Sequence, residues 1–209
     1  MPYPVFLKVE DKLCVVVGAG RVAERRVRGL CDAKAQVRVV GITATEGILK
    51  LADEGTVHLC QRAFEPSDLD GSTLVIAATE HADVNRAVQA AAKCRGILFC
   101  GADRHTDSDF IVPAVVRRGD LQVAISTGGN SPAYAALLRR EIEAFLEDGH
   151  VGLLDLIADL RRRVYARFPN APERRQAFWQ QLVTDDTLAL ARKGKWAEVE
   201  ERIEVCLSS

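Results

Sequence analysis

The sequence predicts an α/β protein: a parallel sheet wrapped by helices at the N-terminal end, then a mixed strand-and-helix segment, then a helical tail. Three observations carry this. Short apolar runs rich in valine alternate with stretches of helical periodicity over about the first half of the chain, the pattern of a parallel sheet with helices on both faces. A glycine turn, Gly18-Ala19-Gly20, follows the first run directly. Past residue 112 the alternation stops; two extended runs meet at a turn, and helical spacing takes over.

Element by element, "LCVVV" at 13–17 is apolar and ends in glycine, as a buried strand does. From Arg21 to about Asp32, Val22, Ala23, Val27 and Leu30 fall on one helical face. "QVRVV" at 36–40 gives a second strand, 45–54 a helix, and "TVHLC" at 56–60 a short strand. "TLVIAAT" at 73–79 is the next buried strand, 82–94 a helix, and "GILFCGAD" at 96–103 another strand. Right-handed crossovers join such strands, so residues 1–112 are expected to form one Rossmann-like domain. In "DFIVPAVVRRGDLQVAIST" the two extended runs flank a hairpin turn at Arg118-Gly119-Asp120. Ser131-Pro132 reads as an N-cap followed by proline at the first helical position. Tyr134, Leu137, Leu138, Ile142, Phe145 and Leu146 repeat at helical spacing, and Gly149 reads as the stop. Leu153, Leu156, Ile157, Leu160 and Val164 make a second amphipathic helix, broken by "PNAP" at 169–172. The tail, with Trp179, Leu182, Leu188 and Trp196, is helical again. Segment 113–148 and the tail, 149–209, must bury their apolar faces on the core or on a second subunit.

Composition narrows the function. An apolar content of 48% and a charged content of 27% describe a globular protein. A net charge of −1 gives no global field to attract nucleic acid or an anionic membrane, so any anionic ligand must meet local basic groups. The cysteines, Cys14, Cys31, Cys60, Cys94, Cys100 and Cys206, form no C-x-x-C pair, which argues against a zinc ribbon or a redox motif and for a reducing, cytoplasmic setting. "MPYPVFLKVEDKL" lacks the basic-then-apolar pattern of a signal peptide. No His, Cys and Asp spacing marks a permanent metal site.

The glycine turn is the strongest chemical signal. Gly18-Ala19-Gly20-Arg21-Val22-Ala23 fits G-x-G-x-x-A. The first glycine permits the tight turn, the second lets the backbone approach a pyrophosphate, and the third position is small so that helix and strand pack closely. The helix N-terminus then offers free N–H groups to phosphate. The competing reading is a structural turn with no ligand. The acid that usually grips a ribose about 20 residues on is missing; Gly41 and Ile42 stand there. Backbone groups or the loop after Val40 would have to hold the ribose instead.

Four stretches together, "PVFLKVEDKL", "VVVGAGRVAERRVRGL", "LDGSTLVIAATEHADVNRAV" and "ADRHTDSDFIVPAVVRRGDLQVAISTGGNSPA", closely resemble the family of precorrin-2 dehydrogenase, the dehydrogenase module of siroheme synthase. The resemblance runs from residue 1 to about 147. It implies oxidation of precorrin-2 to sirohydrochlorin with NAD as cofactor, in a homodimer with 113–148 as the dimerisation segment. It also leaves open a bifunctional enzyme that inserts Fe2+ as well. A different class, a non-catalytic NAD-sensing module, would need the turn alone. Family members often lack the ribose acid. The resemblance places the family's key aspartate on Asp103, to accept a proton as hydride leaves or pyrrole protons as a metal enters; a turn-capping role is the alternative. It places cofactor contacts at Gly18, Gly20, Arg21, Val22, Ala23, Thr79 and Asn85, the last of which could equally be a helix surface residue. The polar stretch Ser126, Thr127, Gly128, Gly129, Asn130 and Ser131 ends at a helix N-terminus and reads as a site for a substrate carboxylate, or as a simple helix-capping loop; His105, beside the expected base, could pair with a substrate carboxylate or be an exposed loop residue. Cys100 replaces the family's asparagine, and Arg104-His105 follow Asp103 as a basic pair. Arg117, Arg118, Arg139 and Arg140 are candidate partners for substrate carboxylates, or simply solvated turn and helix residues.

Overall fold

The computed structural model describes residues 2–102 and 107–208. The chain divides into two compact units, Met1–Val112 and Pro113–Ser209.

In the first unit, β1 (Leu13–Val17), β2 (Gln36–Val40), β3 (Val57–Cys60), β4 (Leu74–Ala77) and β5 (Leu98–Gly101) pair in parallel in the order β3-β2-β1-β4-β5. The connecting helices are α1 (Arg21–Asp32), α2 (Glu46–Asp53) and α3 (Ala82–Arg95). Alternation along each strand sends side chains to opposite faces. Cys14 and Val16 of β1 join Ala23 and Val27 of α1 and Ile48 of α2 on one face. Val15 and Val17 join Val88, Ala91 and Ala92 of α3 on the other. All four β4 residues are buried, as a strand covered on both faces must be. Each such valine or leucine contributes about 1.5–3 kcal/mol on full burial.

The order reverses between β1 and β4, so their carboxyl ends frame the crevice where doubly wound sheets bind ligands. The strands are shorter than their apolar runs. β4 stops at Ala77 and β5 at Gly101, because the following residues turn. A 3-10 turn at Pro66–Leu69, absent from the periodicity, carries the crossover into β4. It is fixed by Asp68, 4% exposed, whose carboxylate accepts two hydrogen bonds from Arg62 (2.6 and 2.9 Å) and one from the Glu65 N–H (2.9 Å). Burial pushes that carboxyl up, but the Arg62 and Glu65 hydrogen bonds and the charges of Arg62 and Arg38 outweigh it and leave it below its ordinary range.

In the second unit, β6 (Ala114–Arg118) and β7 (Leu121–Ile125) form an antiparallel hairpin around Gly119, whose φ of +56° favours glycine. Helices α4 (Pro132–Phe145), α5 (Asp148–Arg167), α6 (Pro172–Leu182), α7 (Asp185–Arg192) and α8 (Trp196–Ser208) follow. One cluster joins Val116, Ile125, Ala135 and Leu146; a second joins Leu153, Leu160, Val164, Phe168, Phe178, Leu182, Ala191, Val199 and Ile203. Ser131 caps α4 through Oγ, which accepts from the Tyr134 N–H at 3.1 Å.

Gly149 is not a stop. It lies in the first turn of α5. A Cβ there would stand 2.5 Å from Arg192 Cα and 2.6 Å from its nitrogen, so the glycine is what lets α5 and α7 touch. Val22 also departs from its spacing. It is 44% exposed, and Ala23 and Val27 alone form the buried stripe of α1. Among the described residues no helix is long and apolar enough to cross a membrane.

Candidate functional site

The site is built at the carboxyl ends of β1 and β4. Gly18 leaves β1 with φ +111°, and its N–H donates to the Val40 carbonyl at 2.8 Å. A Cβ on Gly18 would collide with the Ala78 carbonyl just past β4, so the first glycine is required both by its conformation and by the close approach of the next strand. Gly20 differs. Its φ of −84° suits any residue, and a Cβ there would meet nothing within 4 Å. The space above Gly20 is open, at the N-terminus of α1, where N–H groups meet phosphate. Arg21 and Val22 are exposed beside it. Ala23 is fully buried against β1; it serves close packing and touches no ligand space.

The loop after β2 is fastened to this turn. The Thr45 N–H donates to the Ala19 carbonyl at 3.0 Å. A Cβ on Gly41 would stand 2.9 Å from Ala19 Cβ. Glu24 of α1 reaches the same loop. Its Oε2 accepts from Thr45 Oγ1 at 2.7 Å, and its Oε1 accepts from Arg28 Nη2 at 2.7 Å and Nε at 3.0 Å. The Thr45 hydroxyl and then the Arg28 guanidinium hold the Glu24 carboxyl below its ordinary range.

Thr79 and Asn85 brace the turn after β4. Thr79 Oγ1 donates to Asn85 Oδ1 at 2.8 Å, and Asn85 Nδ2 donates to the Thr79 carbonyl at 3.0 Å. Asn85 is 9% exposed, so it is a buried brace and not a helix surface residue. The pair positions the backbone of Ala78 and Thr79, which faces Gly18.

Asp103, Arg104 and His105 lie outside the described residues. The chain on either side of them is tied to the sheet. The Ala102 N–H donates to the Ala77 carbonyl at 2.8 Å, and the Gly101 N–H to Ser108 Oγ at 3.0 Å. Asp109 pairs with Phe99 through both its backbone N–H (2.8 Å) and its carboxylate (2.9 Å). Cys100 points into the core and is 1% exposed; burial pushes its thiol up. Cys14, also buried, is pushed up to about 11 by desolvation.

The stretch from Ser126 to Ser131 belongs to the second unit. Gly128 (φ +63°) and Gly129 (φ +87°) shape it. Thr127 Oγ1 accepts from the Ser131 N–H at 3.2 Å, the Asn130 N–H donates to the Thr127 carbonyl at 3.1 Å, and Ser126 Oγ accepts from the Gly128 N–H at 3.2 Å. The result is a compact loop closing on the start of α4, with Ser126, Gly128, Gly129 and Asn130 exposed. Arg117 and Arg118 end β6, exposed; Arg139 pairs with Glu143 at 2.7 Å; Arg140 is exposed on α4. Among the described residues no three His, Cys, Asp or Glu side chains are grouped to hold a metal ion.

The fold, the glycine turn and the crevice define a dinucleotide-binding protein of the doubly wound α/β class. Residues 5–114, more than half of the chain, match a family described as putative NAD(P)-binding. Residues 118–144 match the sirohaem biosynthesis protein central region, and residues 152–207 the sirohaem synthase dimerisation region. The chain belongs to this putative NAD(P)-binding family, and its later part carries the sirohaem synthase central and dimerisation regions. A siroheme synthase of Methylococcus capsulatus is 41% identical over 200 residues, covering 96% of this chain and 42% of that protein. Siroheme synthase 1 of Aeromonas salmonicida is 42% identical over 195 residues, covering 92% and 41%. The chain thus spans about two fifths of the relatives it matches. The solved structure of SirC, a precorrin-2 dehydrogenase, shares the fold with a TM-score of 0.77 at 22% identity, covering 96% of this chain and 100% of that one. The dimerisation match falls on 152–207, C-terminal to the segment 113–148 to which the sequence assigned dimerisation.

Proposed function

We propose that this chain carries out the NAD-dependent oxidation of precorrin-2 to sirohydrochlorin. The observation that carries the reading is the glycine turn at the β1–β4 crevice, with open space above Gly20, in a chain whose relatives are siroheme synthases. NAD, when bound, supplies an acceptor for the hydride that leaves the macrocycle. The chain's own part is to bind and orient. Gly18, Gly20 and the first N–H groups of α1 take the pyrophosphate; Arg21 lies beside it; and the backbone at Ala78–Thr79, braced by Asn85, borders the crevice.

NAD is favoured over NADP by charge. A 2′-phosphate is ordinarily met by arginine, yet residues 41–46 contain no Arg or Lys. Glu24 and Glu46 stand at that loop instead, and Arg28 is already paired with Glu24.

Asp103, the first residue past Ala102 at the end of β5, is assigned as the base that takes the proton released with the hydride. The exposed loop Ser126–Ser131 and His105 are assigned to the substrate's carboxylates. The protein is assigned as a cytoplasmic homodimer organised as 1–112, 113–148 and 149–209, with helices of the 152–207 region contributing to the dimer. Incubating the purified chain with precorrin-2 and either NAD or NADP tests this reading: sirohydrochlorin and reduced cofactor form together, faster with NAD. Adding Fe2+ to the same reaction shows whether siroheme follows.

A further inference from the structure

The acid missing after β2 has a counterpart that the sequence order hides. The geometry points to Glu24, acting with Thr45, as a positioning residue for the adenosine end of the cofactor site; this rests on the NAD reading above. The loop 41–45 runs from the end of β2 to the cap of α2. A dinucleotide whose pyrophosphate lies at Gly20 places its adenosine ribose against that loop.

Each end of the loop is pinned to the glycine turn. At the start, the Gly18 N–H donates to the Val40 carbonyl and Gly41 presses on Ala19. At the far end, Thr45 makes three connections at once. Its N–H bonds the Ala19 carbonyl (3.0 Å), its hydroxyl donates to Glu24 (2.7 Å), and the same oxygen accepts from the Ile48 N–H (3.4 Å) as the cap of α2. Gly47 leaves room for the carboxylate: a Cβ there would run into Glu24. The carboxylate is held at its other oxygen by Arg28, whose Nε and Nη2 both donate to Oε1, so that Oε2 is left to Thr45.

With three hydrogen bonds already accepted, Glu24 does not reach for the ribose itself. It holds the loop whose backbone does. A strand-end acid would grip the ribose directly; here an acid from the first turn of α1 fixes the surface the ribose meets. The same first turn also presents the phosphate-facing N–H groups, so both contacts with the cofactor move as one body.

The test is calorimetric titration of the full chain with NAD and with ADP-ribose, alongside steady-state kinetics. Glu24→Ala weakens both ligands about tenfold. It raises the KM for NAD in proportion and leaves kcat and the KM for precorrin-2 unchanged. Thr45→Ser, which keeps the hydroxyl, stays near the parent, and Glu24→Gln, which still accepts from Thr45, recovers most of the loss. Thr45→Ala gives the same selective loss and serves as the second variant should Glu24→Ala fail to fold. A folded Glu24→Ala or Thr45→Ala with NAD affinity within about twofold of the parent overturns the clasp, as does an equal loss in kcat and in the KM for precorrin-2. A parent chain that binds neither NAD nor ADP-ribose overturns the cofactor reading itself, and the clasp with it.

Discussion

Gly18 and Gly20 look equivalent in the motif but do different work. Gly18 is held by a positive φ and by the Ala78 carbonyl, so any side chain there strains the β1–β4 junction. Gly20 has ordinary backbone angles and free space. Gly20→Asp therefore keeps the fold while placing a carboxylate at the proposed pyrophosphate site. NAD affinity falls more than tenfold, about 1.4 kcal/mol or more, with the melting temperature unchanged; unaltered calorimetric affinity would remove phosphate binding from this turn. The proposed base, Asp103, has its own test. Asp103→Asn retains NAD and slows precorrin-2 oxidation by roughly 10²–10⁴-fold, the usual cost of a lost general base. Loss of iron insertion alone would move the residue to that second reaction.

The α5–α7 contact shows how a single atom limits an element pair. At Gly149 a Cβ would meet backbone atoms of Ala191 and Arg192, and backbone cannot swing aside as a side chain can. Gly149→Ala destabilises the second unit by about 1–3 kcal/mol, the usual cost of overpacking, measured by denaturant unfolding. A neutral substitution would mean that the helices separate freely. This position also marks where sequence reading loses its grip. The valine runs of β1, β2 and β4 could be read because burial on both faces leaves no polar positions, and Ser131-Pro132 because capping chemistry is local. Gly149 reads as a stop in the sequence because a glycine near a helix end looks the same whether it ends one helix or admits another. Asn85 shares the buried-face spacing of Val88 and Ala92 on α3; its polarity suggests a surface place, and its pairing with Thr79 makes it a brace. Glu24 gave no signal, because its partner Thr45 arrives through tertiary contact across 21 residues. The glycine turn, Thr79 and Asn85 are therefore legible in the sequence, while the Glu24–Thr45 clasp is not.

The two units have separate apolar clusters, and the helices of the second leave apolar side chains uncovered. Tyr134 (54% exposed), Leu137 (39%) and Phe145 (60%) lie on α4, a concentration that favours association with a second copy. Sedimentation velocity at micromolar concentration should give a dimer, and a well-folded monomer there would contradict the assignment. Acting as an enzyme asks more of the chain than binding a dinucleotide does, since a sensing module would share the turn, the crevice and the affinity for NAD. The measurement that separates them is a single reaction, purified chain with precorrin-2 and NAD, followed for sirohydrochlorin and reduced cofactor. The enzyme reading requires the two products in equal amounts, with multiple turnovers abolished by Gly20→Asp. Tight NAD binding with precorrin-2 left unoxidised would contradict it and leave a protein that senses the cofactor without using it.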